Sequence, residues 1–280
     1  MKENETDRRI FRSLSHPLHQ WLSLRPKIKE LTKIKVGAVS YLNTKPLLYG
    51  IKRHAVMHQI DLMESYPAEI ARALIDGKLD LGLVPVAVIP KLKEHHIITD
   101  YCIGANGEVA SVCIFSKVPL DEVKKVYLDY QSRTSVRLAQ ILLKEYWKVE
   151  VELIDATGED YIDSIKGSAA GVVIGDRALA LRQKVNYIYD LGTAWKAHTG
   201  LPFVFAAWIS NKQLPKDFIQ SFNDANQFGL NHIDELVENE PYRHFDLSSY
   251  FKKFISYELS LEKRKGLELF LSKIKEYKLA

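Results

Sequence analysis

From Ile34 onward the chain switches repeatedly between two hydrophobic periods. IKVGAV (34–39) is a short β-branched run and reads as a strand. SYLNTKPLLYGIKR (40–53) opens as a turn and continues as a helix, with Pro46 tolerated in the first turn. MHQIDLM (57–63) alternates as a strand does. YPAEIARALIDG (66–77) sets Ile70, Ala73 and Leu74 on one helical face and stops at Gly77. LDLGLVPV (79–86) is a buried strand ending in a proline turn. The order β-α-β-α-β predicts a parallel sheet covered by helices.

A second series follows. VASVCIFS (109–116) and KKVYLD (124–129) read as strands, and SRTSVRLAQILLKEYW (132–147) as a strongly amphipathic helix. VEVELI (149–154), AAGVVIG (169–175) and NYIYDL (186–191) are further strands, separated by short helical stretches at 158–167 and 176–183. FVFAAWIS (203–210) is apolar throughout. After Pro215 the pattern is helical to the end, most clearly over 261–279. DLGLVPVA (80–87) and AGVVIGDRAL (170–179) are loosely alike, so the two series predict two lobes facing a cleft. Ligands bind beyond the carboxyl ends of parallel strands. That rule gathers the loops 40–44, 84–87, 129–135 and 175–177 around one site. The strands 109–116 and 203–210 are the expected crossings between lobes.

Composition narrows the class. A length of 280 residues suits about two domains. Hydrophobic residues at 46% and charged residues at 26% are ordinary for a soluble globular chain. No apolar run reaches the ~18 residues that span a bilayer, which argues against a membrane protein. The two cysteines, Cys102 and Cys113, cannot build a disulfide framework and lack the spacing of a zinc site, so a reducing compartment is expected. Most of the formal net charge of +4 falls within residues 1–33. The nearly neutral remainder argues against a nucleic-acid partner. Residues 1–33 read as a solvated extension, with Phe11, Leu14, Leu18, Trp21 and Leu22 close to a helical spacing. They contain no continuous apolar run of a secretion signal, which points to the cytoplasm.

Three polar clusters stand out. Ser132-Arg133-Thr134-Ser135 precedes the amphipathic helix. It reads either as a plain N-cap or as an anion seat, where free N–H groups and the helix dipole meet an arginine. Ser40-Tyr41-Leu42-Asn43-Thr44 follows the first strand, either as a capping turn or as hydrogen-bonding groups at the mouth of the cleft. Ser111 is a hydroxyl inside an apolar strand, a packing residue or a donor to a substrate. Asp176, after Gly175 at the end of a buried strand, caps the next helix or orients a partner. His54, His58, His95 and His96 fall at element edges and read as surface residues. HExxH, GxSxG, P-loop and GxGxxG patterns are absent.

Five segments in order, SYLNTKPL (40–47), DLGLVPVA (80–87), SRTSVRLAQILL (132–143), VVIGDRAL (172–179) and DLGTAWKAHTGLPFVFAAW (190–208), resemble the chorismate dehydratase family of the futalosine route to menaquinone. The resemblance covers about residues 34–210 and continues more loosely to the C-terminus. It implies an α/β, two-lobed type II periplasmic-binding-protein-like fold with a central ligand cleft. Lobe 1 is expected at 34–114 plus 205–280, and lobe 2 at 115–204. It also implies a hydro-lyase that converts chorismate to 3-[(1-carboxyvinyl)oxy]benzoate, with no cofactor and no metal. The family's catalytic Asn and Ser match Asn43 and Ser111, and its helix start matches Ser132, Arg133, Thr134 and Ser135. Ser40, Tyr41, Thr44, Gly175 and Asp176 complete the expected substrate contacts. Neither Asn43 nor Ser111 is a base near pH 7. The expected mechanism is therefore an elimination in which these residues position the ring and the substrate's own enolpyruvyl carboxylate takes the proton. Two alternatives remain. One is the sister 1,4-dihydroxy-6-naphthoate synthase, whose strand-end His is missing here. The other is a non-catalytic small-anion-binding protein.

Overall fold

In the computed structural model, residues 33–279 are described. The helix expected within residues 1–33 lies outside them. The first lobe begins with β1 (Ile34–Val39), α1 (Lys45–Arg53), β2 (Ile60–Ser65), α2 (Pro67–Ile75), β3 (Leu81–Pro85) and β4 (His96–Ala105). The second holds β5 (Val112–Ser116), β6 (Lys125–Leu128), α3 (Arg133–Leu142), β7 (Glu152–Asp155), β8 (Ala169–Ile174), α4 (Gly175–Leu181), β9 (Tyr187–Asp190) and α5 (Leu191–Thr199). The chain then returns as β10 (Phe203–Ser210), α6 (Lys216–Asn231), α7 (Ile233–Glu238), β11 (Ser256–Glu258) and α8 (Leu261–Glu276).

The strands form two sheets. One has the order β11-β4-β10-β3-β1-β2, the other β7-β6-β8-β5-β9. In the first, β1 runs parallel to β2 and β3, and β10 runs antiparallel to β3 and β4. In the second, β6 runs parallel to β7 and β8, and β5 antiparallel to β8 and β9. The first sheet is thus a β-α-β-α-β unit and the second is alike with a 3-10 turn in place of its second helix, and each is completed by an antiparallel strand that arrives from the other lobe. β5 lies in the second sheet, so the chain crosses within 106–111, ahead of the boundary expected at 114.

The central parallel strands are apolar on both faces because both faces are covered, whereas the edge strands β2 and β7 are largely exposed. β3 and β8 are buried along their whole length. α1 packs on α6 at backbone contact. A Cβ on Gly50 would stand 1.9 Å from the Ala225 carbonyl, and one on Gly229 equally close to that of Pro46. Trp195, Phe203 and Phe270 meet edge to face in the core beside the crossings. Among the described residues, no helix is long and apolar enough to cross a membrane.

Several elements differ from the sequence reading. β4 and β11 were not anticipated. The helix expected at 132–147 is α-helical only to Leu142 and ends in a π-helical turn, Leu143–Trp147. The stretch at 158–167 is a 3-10 turn over Glu159–Ser164.

Candidate active site

One cavity lies between the lobes, at the carboxyl ends of the parallel strands. Its empty volume, counted out to open solvent, is about 590 Å³. The first lobe contributes Tyr41, Asn43 and Thr44 from the turn after β1, with Leu83 and Pro85 of β3. The second contributes Gln131, Ser132 and Ser135 around the start of α3, and Ile174 and Gly175 after β8. Ser111 at one crossing and Phe205 and Ala206 of β10 complete the wall. Among the described residues that line it, none is charged and none is a histidine.

Ser111 is fully buried and sits just before β5. Its N–H closes onto the Val109 carbonyl at 2.7 Å, and its own carbonyl accepts the Gly175 N–H at 2.7 Å. The turn drives Ala110 to a φ of 61°, a region that a Cβ resists. Asp190 offsets this cost. Its carboxylate accepts the N–H of Ala110 at 2.8 Å, of Val109 at 3.1 Å and of Thr193 at 2.9 Å. Burial nonetheless pushes the Asp190 carboxyl above its ordinary value, against the pull of those N–H groups. The Ser111 hydroxyl in turn accepts a hydrogen bond of 2.8 Å from the phenol of Tyr250.

Asn43 belongs to a 3-10 turn, Leu42–Thr44, that leads into α1. No side chain caps either element, so the polar groups of this turn are not spent on capping. The Thr44 hydroxyl reaches Asn43 Oδ1 at 3.3 Å, and the Tyr257 phenol donates to the Asn43 carbonyl at 2.9 Å. The amide N–H groups of Asn43 are then the ones free to meet a ligand.

At the start of α3 the cap is present: Ser132 Oγ accepts the Ser135 N–H at 3.1 Å. Ser132 and Ser135 share a helical face, three residues apart, and that face meets the cavity. First-turn N–H groups have no intrahelical acceptor and carry the positive end of the dipole. Arg133 falls on another face, is partly exposed and does not line the cavity. Thr134 is buried away from the cavity, where its hydroxyl accepts the Ala87 N–H at 3.1 Å. Ser40 also points elsewhere. Extended residues alternate in direction, so Val39 and Tyr41 face the cavity and Ser40 is exposed.

Gly175 lines the cavity with a φ of 63°, and the Tyr41 ring packs over it. Asp176 does not line the cavity. Its Oδ1 accepts the Leu42 N–H at 3.3 Å, and its carbonyl accepts the Tyr242 phenol at 3.0 Å. It therefore ties the lobes together. Burial pushes its carboxyl above the ordinary value, and the Leu42 N–H and Lys45 offset this only in part.

Gln131 was not singled out from sequence, although it lies within the expected loop 129–135. Its Oε1 accepts hydrogen bonds from the Tyr41 phenol and, at 3.0 Å, from Arg177 Nη2. The same Nη2 lies 2.8 Å from Asp129, whose carboxylate also holds the Gln131 N–H at 2.8 Å. Among the described residues, no group of three His, Cys, Asp or Glu could hold a metal ion.

A family model described as Menaquinone biosynthesis matches residues 34–276, from the first residue of β1 to the last of α8. The chain belongs to this family. Two curated relatives of this menaquinone-biosynthesis chain are named chorismate dehydratase. That of Thermus thermophilus is 29% identical, covering 84% of this chain and 93% of its own. That of Campylobacter jejuni is 23% identical, covering 87% and 99%. Among solved structures, a protein of Archaeoglobus fulgidus superposes with a TM-score of 0.72 at 13% identity, covering 89% of this chain and 98% of its own. The periplasmic aliphatic sulphonate binding protein SsuA of Escherichia coli superposes with a TM-score of 0.58 at 14% identity, covering 88% and 93%. The fold is that of the two-lobed periplasmic binding proteins.

Proposed function

We propose that this chain is a chorismate dehydratase, a hydro-lyase that converts chorismate to 3-[(1-carboxyvinyl)oxy]benzoate and water. The observation that carries this reading is the meeting of Asn43 and Ser111, 68 positions apart, on one uncharged cavity beside the start of α3. Chorismate brings two carboxylates. Ser132, Ser135 and the helix end seat one by neutral donors and dipole. Loss of the C3 proton leaves charge that spreads through the ring diene into the C1 carboxylate, and donors aimed there stabilise it as it develops. Ser111 and Asn43 hold the ring and hydrogen-bond the departing C4 hydroxyl. The cavity wall offers no carboxylate and no histidine. The substrate's own enolpyruvyl carboxylate then accepts the C3 proton and passes it to the departing C4 oxygen, which leaves as water, and aromaticity drives the step.

The sister naphthoate synthase is disfavoured because β8 ends at Ile174 and is followed by Gly175, packed under Tyr41, with no histidine there. The free buried thiols of Cys102 and Cys113 support a reducing compartment, and we place the enzyme in the cytoplasm. The test is to incubate the purified chain with chorismate alone and follow it by mass spectrometry. Many turnovers to a product one water lighter are expected. Unchanged chorismate in the presence of folded protein would overturn the proposal.

A further inference from the structure

We propose that Tyr250 is the positioning residue that aims the Ser111 hydroxyl into the cavity. The inference rests on the dehydratase reading above. Tyr250 begins a π-helical turn, Tyr250–Phe254, in the first lobe, and lies 139 positions from Ser111. It is fully buried, and its ring packs against Phe245 and Phe251. Its phenol is 2.8 Å from Ser111 Oγ in a buried contact. Burial pushes the phenol well above its ordinary value, so it keeps the proton that it donates to Ser111 Oγ.

The geometry decides what Ser111 can do. A serine hydroxyl has one proton and two lone pairs. With a lone pair taken by Tyr250, and its backbone fixed through Val109 and Gly175, the remaining proton is directed to the cavity that Ser111 lines. Hydrogen bonds in a chain polarise one another, so a hydroxyl that accepts from a phenol donates more strongly. Tyr250 and Ser111 thus form one donor pair, of which only Ser111 lines the cavity. Tyr250 touches no reacting atom and works through Ser111.

The test is a cycle of Tyr250→Phe, Ser111→Ala and the double variant in steady-state turnover of chorismate. Phenylalanine keeps the buried ring and removes only the donor. Losing one oriented hydrogen bond in the transition state corresponds to a fall in kcat of about tenfold, with KM within about twofold. The double variant is expected within about twofold of Ser111→Ala, because the tyrosine has nothing left to aim. Full turnover by a folded Tyr250→Phe variant overturns the inference. So do losses that multiply in the double variant, since Tyr250 would then act apart from Ser111. Should the phenylalanine variant unfold, 3-fluorotyrosine at position 250 replaces it. Its more acidic phenol donates more strongly, and a kcat below wild type overturns the inference. A wild-type chain without turnover overturns the dehydratase reading, and any role of Tyr250 in that reaction with it. An active wild type with an unaffected Tyr250→Phe variant overturns the inference alone.

Discussion

At the scale of single residues, the site divides into side chains that face the cavity and side chains that hold those in place. Asn43 and Ser111 face it; Arg133 does not. Replacing Asn43 or Ser111 by alanine is expected to lower kcat by about 10²-fold, the effect typical of a donor to developing charge. KM should change little, because the start of α3 still holds the carboxylate. Arg133→Ala is expected to leave kcat and KM within about twofold of wild type, the usual result for a surface change away from a site. Steady-state kinetics on the three variants checks both statements, and a large rise in KM for Arg133→Ala would restore the arginine to the anion seat. The contrast also marks what sequence could tell. Asn43 and Ser111 were legible because polar side chains sit at the ends of apolar strands and match a family pattern. Arg133 carries the charge of an anion seat, but its angle around the helix turns it away from the cavity. Tyr250, Gln131 and Asp190 were not legible as site residues. Their roles come from partners 139, 90 and 80 positions away, at Ser111, Tyr41 and Ala110.

At the scale of elements, most strands and helices followed from periodicity, and the exceptions have physical reasons. β4 (HIITDYCIGA) breaks its alternation at Thr99-Asp100 because that stretch answers to α6: the Asp100 N–H donates to Asn223 Oδ1 at 3.0 Å. β11 has three residues, too few to show a period. The amphipathic run of 132–147 looks continuous, yet its last turn widens into a π turn that carries Glu145. Lys273 and Tyr277, from α8 and just beyond it, and His198 of α5 converge on that carboxylate. Burial alone would raise the Glu145 carboxyl, but these hydrogen bonds outweigh it and lower it to about 2. A lowered folded value stabilises the protein above the unfolded value of about 4.3, and the contribution fades as pH falls toward 2. Glu145→Gln is expected to cost about 1–2 kcal/mol near neutral pH. The difference between variant and wild type should shrink below about pH 4.5. Urea unfolding of both proteins between neutral pH and pH 3 checks this, and a difference that grew on acidification would contradict it.

At the scale of the whole molecule, the two sheets follow one plan. Read from one edge, β2-β1-β3-β10-β4 and β7-β6-β8-β5-β9 have the same sense at each place, three parallel strands and then an antiparallel one from the other lobe. This is why the likeness of 80–87 to 170–179 was readable: both segments fill the third place of their sheet, next to the returning strand. The cavity between the lobes is bounded by a few direct ties. Tyr41 donates to Gln131, Ala87 N–H to Thr134, and Leu42 N–H to Asp176. Two-lobed binding folds close on their ligands by hinge motion, and ties of this kind exist only in the closed form. Asp176 is therefore expected to act on the closing equilibrium and not on the chemistry. Asp176→Ala removes a charged acceptor that only the closed form uses, while in the open form the Leu42 N–H is met by water. A hydrogen bond to a charged group is worth about 1.5–3 kcal/mol, so the closed fraction, and with it the apparent affinity, should fall about tenfold or more. Once substrate saturates the enzyme, closure is driven by binding and kcat should stay within about threefold of wild type. The expected signature is a raised KM with kcat nearly intact, opposite to that of Ser111→Ala, and it is read from steady-state kinetics on the two variants side by side. If Asp176→Ala lost kcat and kept KM, the carboxylate would belong to the chemistry, and closure would depend on the uncharged ties of Tyr41 and Thr134.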